Sequence, residues 1–222
     1  LCQSYRDFEL IVVDDGSSDD ARNIGKDGLE PDVSGMPQAV RDGAQHAPEI
    51  EAGGPPAFKY LRIDHTGMPG LLRNHGVKVA RGKYIAFLDS DDFWMPDKLE
   101  LQTALMRKPT APRISHTREL WLRDGKVVSQ ASQRHRRDGI LFDDALKKCI
   151  IGPSTVMMER SLFVDSGGFR VDLEIAEDYE LWLRITPHER VGYIDTPLTV
   201  KRGGHDDQLS SKYGQIEIFR IH

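Results

Sequence analysis

The sequence predicts an α/β fold in which a mixed sheet is flanked by helices. Residues 8–13 (FELIVV) and 83–88 (KYIAFL) are short apolar runs without polar alternation, which is typical of parallel strands covered on both faces. Each run leads into a polar, acidic loop, and the segments between and after them space their apolar residues as helices do. In such folds ligands bind at the carboxyl ends of the strands.

The first half of the chain continues this alternation of strand and helix. Residues 26–56 interrupt it, because they are rich in Gly and Pro and poor in large apolar residues. We expect a flexible insertion there, with one short helix at 37–47. The other predicted elements of this half are a strand at 58–63, a helix at 70–80 and a helix from Met95 to about Arg107.

The second half mixes hairpin and helix signals. Asp124-Gly125 stands between two strand-like runs, which is typical of a β-hairpin. The predicted strands of this half lie at 114–122, 126–129, 154–158, 190–194 and 198–201, and the predicted helices at 142–148, 160–166 and 176–185.

The composition narrows the classes of function. The 222 residues carry a net charge of −5, which argues against bulk nucleic-acid binding, since that needs a basic surface. Cys2 and Cys149 stand alone without CxxC spacing, a usage more typical of a reducing compartment. No apolar run approaches the roughly 20 residues that span a bilayer, and no secretory signal is visible. We therefore expect a cytoplasmic protein without a nucleic-acid partner.

Acidic clusters follow both of the apolar runs. Asp14-Asp15 comes directly after the first and Asp89-Ser90-Asp91-Asp92 after the second, so both clusters can lie at one edge of one sheet. Crowded carboxylates repel each other unless a cation joins them, and oxygen ligands suit Mg²⁺ or Mn²⁺. Asp is also common in turns and caps for structural reasons. Two such clusters after apolar strands nevertheless favour a metal and phosphate site.

Other polar residues are candidates for a catalytic or binding role. Asp178 lies at the edge of an apolar helical face in EDYELWLRI, where a partly desolvated carboxylate suits a general base. The alternative is a helix N-terminal acid that the helix dipole favours. Arg73-Asn74 and the run 201–205 (KRGGH) are candidates for phosphate contacts. His205 is a candidate metal ligand, although a lone His is more often structural.

Four segments of the sequence, in order and with matching spacing, resemble inverting glycosyltransferase family 2. They are FELIVVDDGSSDD, LLRNHGVKVARGKYIAFLDSDDFWMPDKL, GPSTVMMERSLFVDSGGF and EDYELWLRI. The resemblance implies a GT-A fold, a nucleotide-diphospho-sugar transferase-like mixed sheet flanked by helices, in a single domain over residues 1–222. Residues 1–110 would form its nucleotide-binding half and residues 111–222 its acceptor-binding half.

The resemblance also implies roles for individual residues. It implies nucleotide-sugar contacts for Asp14, Asp15, Arg73, Asp89 and Ser90, metal contacts for Asp91, Asp92 and His205, and a catalytic base at Asp178. The metal, Mn²⁺ or Mg²⁺, would neutralise charge on the departing nucleoside diphosphate. The base would take the proton of an acceptor hydroxyl, which attacks and inverts the anomeric carbon. The implied donor is a nucleotide-sugar, most often a UDP-sugar, and the implied acceptor is a saccharide or a lipid-linked saccharide in polysaccharide or cell-surface glycan synthesis.

One part of the family pattern is not found in this sequence. The family opens with an apolar strand and a helix, and only the tail of that helix, residues 2–5, is recognisable here. Without that first strand we expect neighbouring strands to have an unpaired edge. Strand exchange in a homo-oligomer and peripheral attachment to the inner face of the membrane are both compatible with the sequence. Two alternatives stay open, namely a truncated, non-catalytic binding or assembly module of the same fold and a nucleotidyltransferase.

Overall fold

The computed structural model describes residues 3–18, 57–123, 126–128 and 137–203. The predicted insertion at 26–56, with its short helix, lies outside these ranges, and so does the candidate metal ligand His205.

A two-stranded parallel sheet forms from the first half of the chain. Strand β1 (Glu9–Asp15) pairs with β2 (Ala57–Ile63) over their whole length. Helix α1 (Pro69–Val79) follows and packs against β1. Pro69 stands in the first turn of this helix, where its missing N–H leaves no hydrogen bond unmade. These elements agree with the predicted strands at 8–13 and 58–63 and the predicted helix at 70–80.

The remaining strands build a second, mixed sheet. They are β3 (Tyr84–Ala86), β4 (Phe93–Trp94), β5 (Ile114–Arg123), β6 (Lys126–Val128), β7 (Met157–Glu159) and β8 (Val191–Gly203). Their order is β3-β7-β5-β8-β4, and β6 pairs with β5. Strands β5 and β8 run parallel, whereas the other pairs are antiparallel. The helices that accompany them are α2 (Lys98–Met106), α3 (Phe142–Ala145), α4 (Arg160–Asp165) and α5 (Glu177–Ile185).

The structure corrects the predicted boundaries in the second half. The strand predicted at 154–158 begins only at Met157, because Pro153–Thr155 form a 3-10 turn. The two strands predicted at 190–194 and 198–201 are one strand, β8, which stays paired with β5 because the register shifts around Arg118. Strands β5 and β6 pair antiparallel with Arg123 opposite Lys126, as the predicted hairpin requires, and its turn residues Asp124 and Gly125 lie outside the described ranges.

Strands β1 and β3 belong to different sheets. Within the described ranges β1 pairs with β2 alone and β3 pairs with β7 alone. Each therefore has an edge that no described strand pairs. The two acidic clusters, which the sequence allowed to lie at one edge of one sheet, follow strands of two different sheets within the described ranges. Helix α1 connects the two sheets, since it packs against β1 and also contacts α5.

The main hydrophobic core lies where α1, α4 and α5 meet the second sheet. The rings of Phe87, Phe163 and Phe169 lie with centroids 5.3 to 5.7 Å apart. Trp182 of α5 is fully buried beside them and donates from Nε1 to the carbonyl of Ile151 at 2.7 Å. This packing fixes the direction in which α5 begins. Among the helices of the described ranges, none has the length and apolar character that a membrane crossing requires.

Candidate active site

Asp89 is the first carboxylate of the acidic loop that follows β3. It accepts a hydrogen bond from Arg73 (Nη2 to Oδ1, 2.6 Å), and its backbone N–H donates to the hydroxyl of Ser154 at 3.1 Å. The Ser154 carbonyl is held in turn by Nε1 of Trp94 at 2.7 Å and the hydroxyl of Thr199 at 3.2 Å. Burial raises the pKa of Asp89, but the charge and hydrogen bond of Arg73 together with Lys201 and Ser154 more than offset burial, so the pKa is lowered. Asp89 is therefore ionised, and its contacts anchor the start of the loop.

Asp92 closes the same loop and is buried more deeply. Its side chain is 3% exposed, and Oδ2 lies 3.7 Å from Nζ of Lys201. Burial raises the pKa of Asp92 to about 6, because the lysine offsets it only in part. Ser90 is exposed and Asp91 is partly exposed. The loop is therefore fixed at both ends and presents its middle residues to solvent.

Arg73 joins this loop to helix α5. Its guanidinium donates to the carboxylate of Asp89 from one nitrogen and to that of Glu177 from another. It also lies 5.5 Å from the ring centroid of Phe169. Burial works against the charged guanidinium, but the charges of Asp89, Glu177 and Asp178 raise the pKa of Arg73. Because Arg73 is engaged in these internal pairs, its predicted contact with a nucleotide stays a prediction.

Asp178, the predicted base, lies in the first turn of α5. The helix follows Ala176, whose φ of 61° is left-handed and which turns the chain sharply at this point. Glu177 is buried, and burial together with the charge of Asp178 raises its pKa. Asp178 is only partly buried, and its Oδ2 accepts a hydrogen bond from Sγ of Cys149 at 3.5 Å. Of these adjacent carboxylates, Glu177 ties the helix to Arg73 and Asp178 stays accessible.

Lys201 lies on β8 opposite Trp121 of β5. Its Nζ is 5.3 Å from the indole ring centroid, and Nε1 of Trp121 donates to Glu119 at 2.8 Å. Burial disfavours the ammonium, but the charges of Asp92, Glu119 and further site carboxylates raise the pKa of Lys201. A stable positive charge therefore lies beside the acidic loop.

Asp14 and Asp15 make hydrogen bonds close to the end of β1. Asp14 accepts from the backbone N–H of Ser17 at 2.9 Å and from the hydroxyl of Tyr60. Hydrogen bonding by the Ser17 hydroxyl, by Tyr60 and by the Ser17 N–H lowers the pKa of Asp14 to about 2. Asp15 accepts from the backbone N–H groups of Thr66 at 2.7 Å and Gly67 at 2.8 Å. Asp15 thus orders the loop after β2, whereas Asp14 orders the loop after its own strand. Their predicted contacts with a nucleotide base stay predictions.

Comparison with known proteins decides the family. The sequence model described as glycosyl transferase family 2 matches residues 1–166 of the 222. The chain belongs to glycosyl transferase family 2. This agrees with the resemblance seen in the four sequence segments and with the mixed sheet flanked by helices.

Relatives of this family 2 chain include enzymes and solved structures. WfgD of Escherichia coli, named a UDP-Glc:α-D-GlcNAc-diphosphoundecaprenol β-1,3-glucosyltransferase, is 29% identical over 195 residues, which are 88% of this chain and 64% of that protein. TarS of S. aureus, solved with UDP-GlcNAc, superposes with a TM-score of 0.68 at 20% identity, over 95% of this chain and 54% of that one. The mannosyltransferase PcManGT of Pyrobaculum calidifontis, solved with GDP-Man and Mn²⁺, superposes with a TM-score of 0.58 at 19% identity, over 90% and 50%.

These matches establish the GT-A fold for the family 2 chain. The chain spans less than two thirds of the length of these relatives, and 29% of an uncharacterised glycosyltransferase of Rickettsia conorii that is 29% identical to it over 202 residues.

The acidic loop of the family 2 chain fits a divalent metal. Oδ2 of Asp92 is buried without a hydrogen-bond partner among the described residues, and Asp91 lies beside it near the surface. Mg²⁺ and Mn²⁺ prefer oxygen ligands, and Mg²⁺ commonly binds through one or two carboxylates together with water and substrate phosphates. In the part of the chain that is described, no group of three His, Cys, Asp or Glu could hold a metal by itself, and the predicted ligand His205 lies outside that part.

Sequence reasoning did not find Glu177 or Cys149 as site residues, and it did not find the contact of Ser154 with Asp89. Their contacts join positions that are 65 residues apart for Ser154 and Asp89, 104 for Glu177 and Arg73, and 29 for Cys149 and Asp178. The presence of an acid beside Asp178 was visible in the sequence, but which of the adjacent carboxylates faces Arg73 depends on how α5 packs.

Proposed function

We propose that this chain is the donor-binding and catalytic part of a metal-dependent, inverting glycosyltransferase. It would take a sugar from a UDP-sugar and transfer it to a hydroxyl of a saccharide or lipid-linked acceptor. The observation that carries the proposal is the bridge through Arg73, which pairs with Asp89 of the acidic loop and with Glu177 beside Asp178. This bridge holds the loop that would meet the diphosphate in a fixed relation to the carboxylate that would act as base.

The residues of the site match the needs of an inverting transfer. Asp178 accepts the proton of the acceptor hydroxyl as its oxygen bonds to the anomeric carbon, while the bond from that carbon to the diphosphate oxygen breaks and UDP leaves. Cys149 and the first turn of α5 orient the carboxylate of Asp178. Asp91 and Asp92 would hold a divalent metal, which when bound would supply Lewis-acid stabilisation to the departing diphosphate.

Similar proteins support the choice of donor, metal and acceptor. TarS binds UDP-GlcNAc, and the name of WfgD specifies a UDP-sugar donor and a saccharide linked through diphosphate to a lipid. PcManGT was solved with Mn²⁺. We extend these chemical classes to this chain because its acidic loop offers oxygen ligands next to a candidate base.

Transfer from a panel of UDP-sugars by the full-length protein tests the proposal, with Mn²⁺ and with EDTA. Asp178→Asn is expected to lower kcat by about 100- to 10,000-fold, the usual worth of a general base, and to leave UDP binding intact. Asp91→Asn is expected to reduce the gain in UDP affinity that Mn²⁺ gives. Asp172→Asn, an exposed acid paired with Arg170, serves as the control.

Three results would count against parts of this proposal. Undiminished transfer by both Asp178→Asn and Asp91→Asn would refute the assigned roles. A product that keeps the anomeric configuration of the donor, determined by NMR, would refute inversion. Metal-dependent UDP binding without transfer to any saccharide acceptor would favour the non-catalytic module.

A further inference from the structure

We propose that Lys201 supplies a fixed positive charge to the diphosphate of the donor, so that nucleotide binding has a component that needs no metal. The inference rests on the proposed function, because it concerns the same donor site. The proposal assigns a phosphate contact to Lys201, which lies on an interior strand of the second sheet, in addition to any contact with a divalent metal.

The pairing of two strands determines the position of this lysine. Lys201 on β8 lies directly opposite Trp121 on β5, and Glu119, two residues before Trp121, shares its face of the strand. The Lys201 side chain is 17% exposed, and Nζ lies 5.3 Å from the Trp121 ring centroid. The ammonium is therefore held over an aromatic face, which attracts cations, at a position that its own strand fixes.

Gly152 leaves the space that the ammonium occupies. A Cβ added at Gly152 would lie 3.2 Å from Nζ of Lys201 and 3.5 Å from Oε2 of Glu119. The first of these distances is tighter than nearly all such contacts, so an alanine at position 152 would shift the lysine end by a few tenths of an ångström. The chain thus provides a shaped location for this charge, bounded by a strand pair on one side and the Gly152 backbone on the other.

Lys201 is ion-paired with the acidic loop, but at a distance longer than a hydrogen bond. Arg73 is hydrogen-bonded to Asp89 and Glu177, whereas Lys201 lies 3.7 Å from Asp92, which is longer than a hydrogen bond. A diphosphate that enters beside Asp89 and Asp92 would meet carboxylates of its own sign. An ammonium contributes three N–H donors as a compact point charge, which suits phosphate oxygens, and this charge reduces the repulsion.

Isothermal titration calorimetry on the full-length protein tests this role by comparing ligands that differ in their number of phosphates. Uridine, UMP and UDP are titrated in EDTA and again with Mn²⁺. Lys201→Met is expected to weaken UDP binding in EDTA by about 10- to 100-fold, the worth of one charge-assisted contact, to weaken UMP less, and to leave uridine nearly unchanged. Lys201→Arg is expected to retain most of the affinity. Lys126→Met, which removes the same charge from the exposed strand β6, is the matched control.

Gly152→Ala gives an independent variant, because it moves the ammonium without removing its charge. It is expected to weaken UDP more than uridine, as Lys201→Met does. Equal losses for uridine and UDP, or none, would overturn the inference and leave the proposed function standing. Binding of UDP by the unmodified protein only when Mn²⁺ is present would overturn it as well. No binding of UDP, GDP or TDP under either condition would overturn both proposals.

Discussion

Sγ of Cys149 lies 3.5 Å from Oδ2 of Asp178, to which it donates a hydrogen bond, and 3.6 Å from the carbonyl oxygen of Ile151, a second acceptor for the same thiol proton. The cysteine comes from the segment before Ile150 and Ile151, which are buried in the core, whereas the aspartate comes from the first turn of α5. The orientation of the candidate base therefore depends on a contact between two separate elements. Cys149, which packs against the core, orients the carboxylate of Asp178.

Cys149→Ala should lower kcat by about 2- to 10-fold, since a neutral hydrogen bond contributes roughly 0.5–1.5 kcal/mol. The KM for the donor should stay the same, because the change removes an orienting contact to the base and none to the nucleotide. Cys149→Ser keeps a donor and should recover part of the loss. Steady-state kinetics on the two variants check this expectation, and an unchanged kcat for Cys149→Ala would show that the thiol does not orient Asp178.

Gly70 allows α1 to approach the beginning of α5. A Cβ at this position would lie 2.9 Å from Cγ of Glu177 and 3.1 Å from Cβ of Phe169, so Gly70→Ala should destabilise the fold by about 1–3 kcal/mol through overpacking. Gly76→Ala on the same helix is the control, because its Cβ would meet only Val13 at 3.4 Å. That control should gain up to about 1 kcal/mol from helix propensity. Urea unfolding of both variants measures the difference, and equal effects would contradict the close approach.

Arg73 is the shared partner of two carboxylates, so its loss should be severe. Arg73→Met leaves Asp89 and Glu177 without their cation and should cost about 3–5 kcal/mol of unfolding free energy, the usual cost of breaking a buried pair. Adding Glu177→Gln removes one of the stranded charges and should restore part of this loss. A double-mutant cycle by urea unfolding checks the coupling. Strictly additive losses would show that the two side chains do not stabilise each other.

The sequence predicted most of what depends on neighbouring residues. The apolar runs identified β1 and β3, and the acidic loop at 89–92 follows β3 as expected. Contacts across the fold could not be predicted in this way. Whether Lys201 reaches Asp92 depends on the register of β4 against β8, in which Phe93 lies opposite Val200. β8 was predicted as two strands because its register with β5 includes a shift that local periodicity does not show.

Asp14 should make stability depend on pH in the acid range. Its folded pKa of about 2 lies below the ordinary value of about 3.9, so folding favours the carboxylate form. The stabilisation is fully present above about pH 4 and is lost as the pH falls toward 2. The difference in melting temperature between the natural protein and Asp14→Asn should therefore be largest above pH 4 and should shrink toward pH 2. Asp7→Asn, an exposed carboxylate before β1, is the control, and a difference that does not vary with pH would refute the expectation.

The division of the sheet has a consequence for the energetics of donor capture. A two-stranded sheet is only marginally stable by itself, and β1 has one hydrogen-bonded neighbour among the described strands. The ribbon of β1 and β2 is tied to the rest through α1 and through Gln3, whose side chain bonds to Met95 and Leu99. Its amide protons should exchange with solvent before those of β5 and β8, because local opening begins where supporting contacts are fewest. A nucleotide that binds at the end of this ribbon would have to order the strands, and this ordering would reduce its observed affinity. The dissociation constant would then report on local folding as well as on recognition.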